Sequence, residues 1–255
     1  MSNPIRLADL PTGPSENIDE DKIKDLTDDL IKEFGRLQNV MYAQKKYSLL
    51  VILQGMDAAG KDSAARDVFK YINPMCCTSY SFKKPSEEEM RHDFLWRVHK
   101  VVPEKGMITI FNRSHYEDVL IQRVHKWIDE DRVRARFQHI NAFEKLLADN
   151  GTIFIKFFLN ISKERQLEKL LERTTIPRKF WKHNDNDHKE RQHWEEYMHA
   201  YQDVVNECGP EIPWYIIPSD RNWYKEYVMV KHIVEKLKSL NMEYPPLETE
   251  LSWDG

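Results

Sequence analysis

The most informative stretch of this chain is Leu49-Leu-Val-Ile-Leu-Gln-Gly-Met-Asp-Ala-Ala-Gly-Lys-Asp-Ser-Ala-Ala65. Its first five residues are apolar, which is typical of a central parallel strand covered on both faces. The G-x-x-x-x-G-K spacing from Gly55 to Lys61 predicts a phosphate-binding loop, and residues 64–71 can continue as a helix. Loop N–H groups and the helix N-terminus would then face phosphate oxygens. The alternative is a glycine-turned joint with Lys61 in solvent.

Two acidic residues distinguish this loop from an ordinary ATP-binding loop. Asp62 follows Lys61, where Ser or Thr normally contacts magnesium, and Asp57 lies inside the loop. Carboxylates repel a polyphosphate unless divalent cations lie between them, so we infer Mg²⁺ held partly by Asp57, with Mn²⁺ as the substitute metal. The alternatives are a turn residue for Asp57 and a dipole-stabilised helix acid for Asp62. The candidate phosphate- and nucleotide-binding residues here are Gly55, Ala58, Ala59, Gly60, Lys61, Asp62, Ser63 and Arg66.

Composition restricts the class of protein. The 255 residues are 41% hydrophobic, which suits one large α/β domain or two small ones. The net charge is −4, whereas a general nucleic-acid binder would usually be basic. There is no signal-peptide core and no apolar run of membrane-spanning length. The three cysteines contain no C-x-x-C pair, which argues against zinc and fits a reducing cytosol. We therefore expect a cytoplasmic protein with neither a nucleic-acid nor a membrane partner.

The remaining chain alternates predicted strands with predicted helices. Further strands are expected at 77–82, 107–111, 152–159 and 214–217, and further helices at 21–42, 86–100, 132–149, 162–173, 187–206 and 220–240. This alternation predicts a three-layer α/β/α sandwich with a parallel sheet and a site at the carboxyl ends of the strands. We expect a flexible arm over residues 1–20, a single domain over 21–244, and a loose tail over 245–255.

Polar residues follow two of the other predicted strands. Lys83 comes after the strand at 77–82 and could line a phosphate track or lie in solvent. Asn112 and Arg113 end the strand at 107–111, and Arg113 could stabilise charge on a transferring phosphoryl group. His115 could bind a phosphate oxygen or pack as a polar residue. Glu117 and Asp118 could be site carboxylates or first-turn helix acids, and Arg123 begins a run of arginines that is more often solvated than part of a groove.

A long basic segment with interleaved aromatic residues spans about 174–190. Loops of this length in a compact domain are usually lids or disordered. Its cations, with Arg173 just before it, give it a phosphate-binding composition, and a closing lid would exclude water from a phosphoryl transfer. Lys182 and Asp187 are the candidate site residues of this lid.

Several motifs together resemble the family-2 polyphosphate kinases. They are Gly55-Met-Asp-Ala-Ala-Gly-Lys-Asp62, Phe111-Asn-Arg-Ser-His-Tyr-Glu-Asp118, the lid sequence from Phe180 through Tyr197, Pro213-Trp-Tyr-Ile-Ile-Pro218 and Asn222-Trp-Tyr224. The resemblance covers roughly residues 21–244. It implies a P-loop kinase-like fold with a helical lid. It also implies magnesium-dependent transfer of a terminal phosphoryl group between inorganic polyphosphate and a nucleotide, and a homodimer or homotetramer.

The resemblance also assigns residues by matched position. Asp57 and Asp62 would bind metal or organise the acceptor site. Phosphates would be held by Lys61, Arg113 and Arg173, of which Lys61 and Arg113, with Asp57, are the predicted catalytic residues. Lys182 and Asp187 would belong to the lid.

The subclass follows from the motif at Asn112-Arg-Ser-His-Tyr-Glu117, which resembles that of members acting on both AMP and ADP. Members restricted to nucleoside diphosphates often have Asp at the position of Asn112. Ser63 stands where the family usually has Gly, and the lid residues His183 and Asn184 stand where Phe or Leu and then Ser are usual. The predicted ligands are polyphosphate, AMP, ADP and ATP, with guanine nucleotides as further candidates. The competing functions are an ATP-dependent kinase of a small molecule and a non-catalytic polyphosphate or nucleotide sensor.

Overall fold

The computed structural model describes residues 4–247 and contains a five-stranded, fully parallel sheet. The strands lie in the order β2-β3-β1-β4-β5. Their bounds are β1 Ser48–Gln54, β2 Cys77–Ser81, β3 Ile108–Asn112, β4 Thr152–Asn160 and β5 Trp214–Pro218. Helices flank this sheet, so the predicted α/β/α fold class is confirmed.

The helix bounds are α1 Glu20–Gln44, α2 Lys61–Val68, α3 Trp96–His99, α4 Ile121–Val124, α5 Glu130–Asp149, α6 Lys163–Thr175, α7 Asn186–Gln192, α8 Trp194–Glu207 and α9 Asn222–Lys238. At least one helix lies between each pair of consecutive strands in sequence, while α1 precedes β1 and α9 follows β5. Short 3₁₀ turns lie at Leu7–Asp9, Pro74–Cys76, Glu89–Arg91, His115–Asp118 and Pro177–Lys182. Helix α9 packs on α1 and α2, α5 packs on β4, and α4 contacts α8.

Strand β1 is the centre of the sheet because its side chains suit burial on both faces. All five residues of Leu49–Leu53 are fully buried, as their continuous apolar run predicts. The strand pairs with β3 on one side, where Leu53 lies opposite Asn112, and with β4 on the other, where Gln54 lies opposite Phe158. The carboxyl ends of β1 and β3 therefore meet at one edge, where both chain segments continue into loops.

The N-terminal segment has specific contacts with the domain, in contrast to the flexible arm predicted over residues 1–20. The Ile5 backbone N–H donates to the Asn206 side chain at 2.8 Å, and that side chain donates back to the Ile5 carbonyl at 2.9 Å. Thr12 Oγ1 donates to Asp220 at 2.7 Å. These polar contacts join the segment to the α8 and α9 region, which composition cannot indicate. Residues 1–3 of the predicted arm and 248–255 of the predicted tail lie outside the described residues.

Two predicted helices are interrupted. The segment 86–100 begins with the predicted capping box, in which the Ser86 N–H donates to Glu89 at 2.8 Å. It forms only a 3₁₀ turn because the Asp93 carboxylate accepts from the N–H groups of Leu95 and Trp96 and starts a new turn, α3. The helix predicted over 187–206 is divided at His193 into α7 and α8. Within residues 4–247, every helix is too short or too polar to cross a lipid bilayer.

Candidate functional site

The loop between β1 and α2 has a backbone conformation that depends on its glycines. Gly55 and Gly60 have φ values of +148° and +98°. A Cβ at Gly55 would lie 2.8 Å from the Leu159 carbonyl oxygen, and one at Gly60 would lie 2.7 Å from Lys225 Nζ. Ala58 also has a positive φ, of 63°. The loop is therefore close-packed from beneath, and its backbone needs glycine at both positions.

Lys61 begins α2 and is buried against the loop. Its Nζ donates to the carbonyl oxygens of Gly55 at 2.7 Å and Met56 at 3.2 Å. Burial, with the nearby Arg113 charge, lowers the pKa of the Lys61 ammonium to about 8. The ammonium can exchange these carbonyl oxygens for phosphate oxygens, which are stronger partners because they are charged.

We expect kcat/KM to fall above pH 8, because the ordinary Lys61 pKa of 10.5 is lowered to about 8 in the free enzyme. Below this pH the Lys61 amine is protonated, and above it the protonated fraction falls about tenfold per pH unit. The measurement is kcat/KM from pH 7 to 9.5. In Lys61→Arg this fall in kcat/KM above pH 8 should be absent, because a guanidinium stays protonated. A flat wild-type profile would contradict the assignment. The Arg variant also separates Lys61 from Lys225, whose pKa is likewise lowered to about 8.

Arg113 follows β3 and reaches across to the loop. Its backbone has a φ of 63°, and its guanidinium pairs with the Asp57 carboxylate and lies 3.5 Å from a Glu117 oxygen. Burial alone would raise the pKa of Asp57, but the charges of Arg113 and Lys61, with that of Arg173, outweigh it and lower this pKa. Asp57 therefore remains a carboxylate at neutral pH. The predicted catalytic residues Asp57, Lys61 and Arg113 lie together in the structure.

Asp62 and Asn112 form the opposite rim of the loop. The Asn112 amide, at the end of β3, donates to an Asp62 carboxylate oxygen at 2.6 Å. Asp62 is exposed, so its carboxylate is open to a ligand from the solvent side. Ser63 turns inward, where its hydroxyl donates to the Gly60 carbonyl at 2.9 Å.

Lys225 is a site residue that the sequence interpretation missed. This fully buried side chain on α9 donates to the Gly60 carbonyl at 3.2 Å, to Ser63 Oγ at 2.9 Å and to Asn222 Oδ1 at 3.2 Å. It holds the loop from beneath and adds positive charge near the N-terminus of α2. Burial also raises the pKa of the neighbouring Glu226 carboxyl to about 7.

The predicted lid lies over the loop. Arg173 at the end of α6 donates to Asp187 at 2.7 Å and to the Lys182 carbonyl at 3.4 Å, while the Lys182 side chain is exposed. Helix α7 contributes to a small, partly open pocket together with loop residues. The pocket is lined by Gly55, Met56, Asp57, Arg113, Glu117, Gln166, Asp187, Glu190, Arg191, Tyr197 and Tyr201. The predicted lid segment thus forms a 3₁₀ turn followed by the short helix α7, and α7 borders the pocket.

Four of the predicted phosphate ligands that do not line the pocket are either exposed to solvent or held by other residues. Arg66 is exposed and forms a bidentate pair with Asp67. Arg123 is paired with Glu130 and Asp203, both at 2.7 Å, which neutralise its charge. Lys83 is exposed after the edge strand β2. The fourth, His115, is fully buried.

The interpretation of His115 as a phosphate ligand is corrected by its position in a buried polar cluster. His115 Nε2 lies 3.2 Å from a carboxylate oxygen of Glu144 on α5, and the same oxygen accepts from the Tyr116 hydroxyl at 2.7 Å. Lys156 of β4 donates to the other Glu144 oxygen at 2.7 Å. Burial alone would raise the Glu144 pKa, but the Lys156 charge and His115 lower it, so the carboxylate stays ionised. The cluster joins α5 to the sheet.

Replacing Lys156 by methionine should destabilise the fold by about 3–5 kcal/mol, because Glu144 would remain as an uncompensated buried charge. Urea unfolding measures this change. The double variant Lys156→Met/Glu144→Leu should lose less than the sum of the two single variants, since it removes both charges. A single variant within about 1 kcal/mol of the wild type would contradict the importance of this pair.

Comparisons with known proteins agree on one family. The family description "Polyphosphate kinase 2 (PPK2)" matches residues 17–245. The chain is 44% identical over 221 residues to the AMP/ADP-polyphosphate phosphotransferase of Meiothermus ruber, covering 86% of this chain and 83% of that protein. It is 40% identical over 228 residues to the ADP-polyphosphate phosphotransferase of Rhodopseudomonas palustris, covering 84% and 79%. The crystal structure of polyphosphate kinase 2 from Arthrobacter aurescens TC1 superposes with a TM-score of 0.95 at 34% identity, covering 98% of this chain and 91% of that one. This chain therefore belongs to the polyphosphate kinase 2 family.

Proposed function

We propose that this protein is a polyphosphate-dependent nucleotide phosphotransferase that forms ATP from ADP and ADP from AMP. The proposal rests on the arrangement at the loop, where the side chains of Lys61, Asp57 and Arg113 converge. In addition, Asp62 occupies the position where an ATP-binding loop usually has Ser or Thr. This arrangement provides cations for two polyanions and carboxylates for a metal between them. The relatives' names, which mention AMP, ADP and polyphosphate, support the same reaction.

The reaction requires positioning and charge neutralisation more than covalent chemistry by the protein. A terminal phosphate oxygen of the nucleotide attacks the terminal phosphorus of polyphosphate, the P–O bond to the next unit breaks, and the chain leaves one phosphate shorter. Lys61 and the loop N–H groups hold the phosphates of one substrate. Arg113 lies across the loop, where its guanidinium can stabilise charge on the group being transferred.

The residues present suit Mg²⁺ bound largely through substrate phosphates. Within residues 4–247, no three His, Cys, Asp or Glu side chains come together as a protein-only metal site. Magnesium usually binds one or two carboxylates and completes its sphere with water and phosphate oxygens. Asp57 and Asp62 are the carboxylates that would hold it. The metal would neutralise phosphate charge that both carboxylates would otherwise repel.

AMP as a second acceptor rests on Asn112. This neutral side chain donates to Asp62, so the rim carries one negative charge fewer than it would with aspartate at that position. We infer that this leaves room for the shorter acceptor's phosphate, with Glu117 on the opposite side of Arg113. Guanine nucleotides remain further candidate acceptors, and we propose a cytoplasmic homodimer or homotetramer.

The acceptor assignment is tested with AMP alone and ADP alone, each with long-chain polyphosphate and magnesium. A luminescence assay follows ATP. We expect ATP from both, with ADP accumulating transiently from AMP. ATP from ADP only would contradict the role of Asn112. Absence of ATP in both reactions would contradict the proposed function itself, and ATP consumption with a metabolite while polyphosphate is inert would favour a small-molecule kinase.

A further inference from the structure

Gln166 lies between the lid helix and the phosphate loop and contacts both. It is located on α6 and is only 1% exposed. Its Nε2 donates to the Asp57 backbone carbonyl at 3.0 Å. Its Oε1 accepts from Arg191 Nη1 on the lid helix α7 at 2.5 Å, and the same nitrogen donates to the Lys163 carbonyl at 2.9 Å. One side chain thus joins the backbone of a metal-binding candidate to the lid.

A primary amide suits this position because it presents a donor and an acceptor at one end of the side chain. The donor meets the Asp57 carbonyl and the acceptor meets a guanidinium. Glutamate would keep the acceptor but lose the donor, and leucine would lose both. Since Gln166 is buried, water cannot readily take the place of its side chain, whereas the half-buried Arg191 keeps its bond to the Lys163 carbonyl.

Helix α7 has two other polar attachments near the pocket. Asp187 accepts from Arg173 at 2.7 Å, and Glu190 accepts from the Tyr197 hydroxyl at 2.6 Å and lies within 3.2 Å of His125 Nε2. These contacts fix the helix to α6, α8 and the end of α4. The Gln166 contact differs because it continues to the phosphate loop, where the Asp57 side chain pairs with Arg113.

We propose that Gln166 is a positioning residue that couples the lid helix to Asp57. When α7 is seated, Arg191 orients the Gln166 amide, and the amide fixes the Asp57 backbone so that its carboxylate faces Arg113 and the substrates. When α7 moves away, the Gln166 Oε1 loses the Arg191 donor, and the Gln166 amide no longer holds the Asp57 backbone in place. The inference rests on the proposed function, because the substrates define which Asp57 position is productive.

The experiment compares Gln166→Leu and Gln166→Glu with a matched control, Gln38→Leu. Gln38 is also a fully buried glutamine, but it lies on α1 and contacts the Asn73 N–H. We expect both Gln166 variants to lower kcat for ATP formation about tenfold or more with little change in the KM for ADP. They should also transfer a larger fraction of phosphoryl groups to water, giving orthophosphate. Gln38→Leu should affect thermal stability only.

Each outcome decides one point. If Gln166→Glu has wild-type kcat while Gln166→Leu does not, the contact with Arg191 is enough for full activity. The proposed coupling to Asp57 is then contradicted. If both Gln166 variants have wild-type kcat and transfer ratios, or change no more than Gln38→Leu does, the proposal is overturned.

Hydrogen exchange distinguishes this failure from failure of the proposed function, because it requires no turnover. In Gln166→Leu, the backbone amides of residues 55–60 and 186–192 should both exchange faster than in the wild type and in Gln38→Leu. Unchanged exchange in the loop would contradict the coupling. A wild-type protein that forms no ATP from polyphosphate would contradict the function instead.

Discussion

Lys61→Met should lower the rate of ATP formation from polyphosphate by about 10²–10³-fold or more, because it would remove the positive charge that we propose stabilises the transferring phosphates. The fold should survive, since Lys61 is buried and methionine fills a similar volume without a charge to desolvate. Circular dichroism and thermal unfolding verify the fold, and the luminescence assay measures the rate.

The matched control for Lys61 is Lys145→Met. Lys145 lies on the exposed face of α5 and pairs with Asp149 at 3.3 Å. This variant should retain wild-type activity, because exposed ion pairs contribute little and the partner, Asp149, lies on the same helix. A Lys61→Met enzyme with near-normal turnover would contradict the phosphate-binding role of the loop.

Arg113→Ala should reduce kcat by about 10³-fold or more. Arginines that stabilise a transferring phosphoryl group have effects of this size on kcat. The substitution has a second effect, because the Asp57 carboxylate loses its main partner, and its pKa should rise toward the ordinary value. Arg113→Lys should restore only part of the rate, since an ammonium lacks the planar fork that can contact Asp57 and phosphate together.

The control for Arg113 is Arg134→Ala, which removes an exposed arginine on α5 that pairs with Asp131. It should leave kcat unchanged. If Arg113→Ala instead raises KM for polyphosphate and leaves kcat unchanged, then Arg113 binds substrate equally in the ground and transition states, and its proposed role in transfer is incorrect.

The strands and the loop could be predicted from the sequence because their signals are local. The short apolar run Leu49–Leu53, ended by a glycine, favours a buried strand of a parallel sheet, and Gly55 and Gly60 have the spacing of a phosphate-binding loop. Arg113 and Asp57 could be associated because both follow parallel strands, whose carboxyl ends meet at one edge of the sheet.

The sequence interpretation missed Lys225 and Gln166 because the loop residues that they contact are distant in sequence. Lys225 meets Gly60 from 165 positions away, and Gln166 meets Asp57 from 109. A signal was present in each helix. Lys225 lies one turn before the buried Met229, and Gln166 one turn before the buried Leu170. A polar residue on a buried helical stripe needs a polar partner, which here belongs to the site in both cases.

His115 shows the opposite error. It follows β3 beside Arg113, and chain position alone makes it resemble a site residue. Its side chain instead contacts Glu144, 29 residues later on α5, and so belongs to the buried cluster that includes Lys156. Arg123 is similarly neutralised by Asp203, 80 residues away. Sequence spacing shows which residues follow a strand, but only the packing of the helices decides which way they turn.

The most direct test of the central claim is the origin of the phosphoryl group in ATP. Purified protein would be incubated with ADP, magnesium and ³²P-labelled polyphosphate, beside an identically purified Lys61→Met preparation. We predict label in the terminal phosphate of ATP, one phosphate lost from polyphosphate per ATP formed, and almost none with Lys61→Met. Unlabelled ATP, or equal labelling by both preparations, would contradict polyphosphate-dependent transfer at this site.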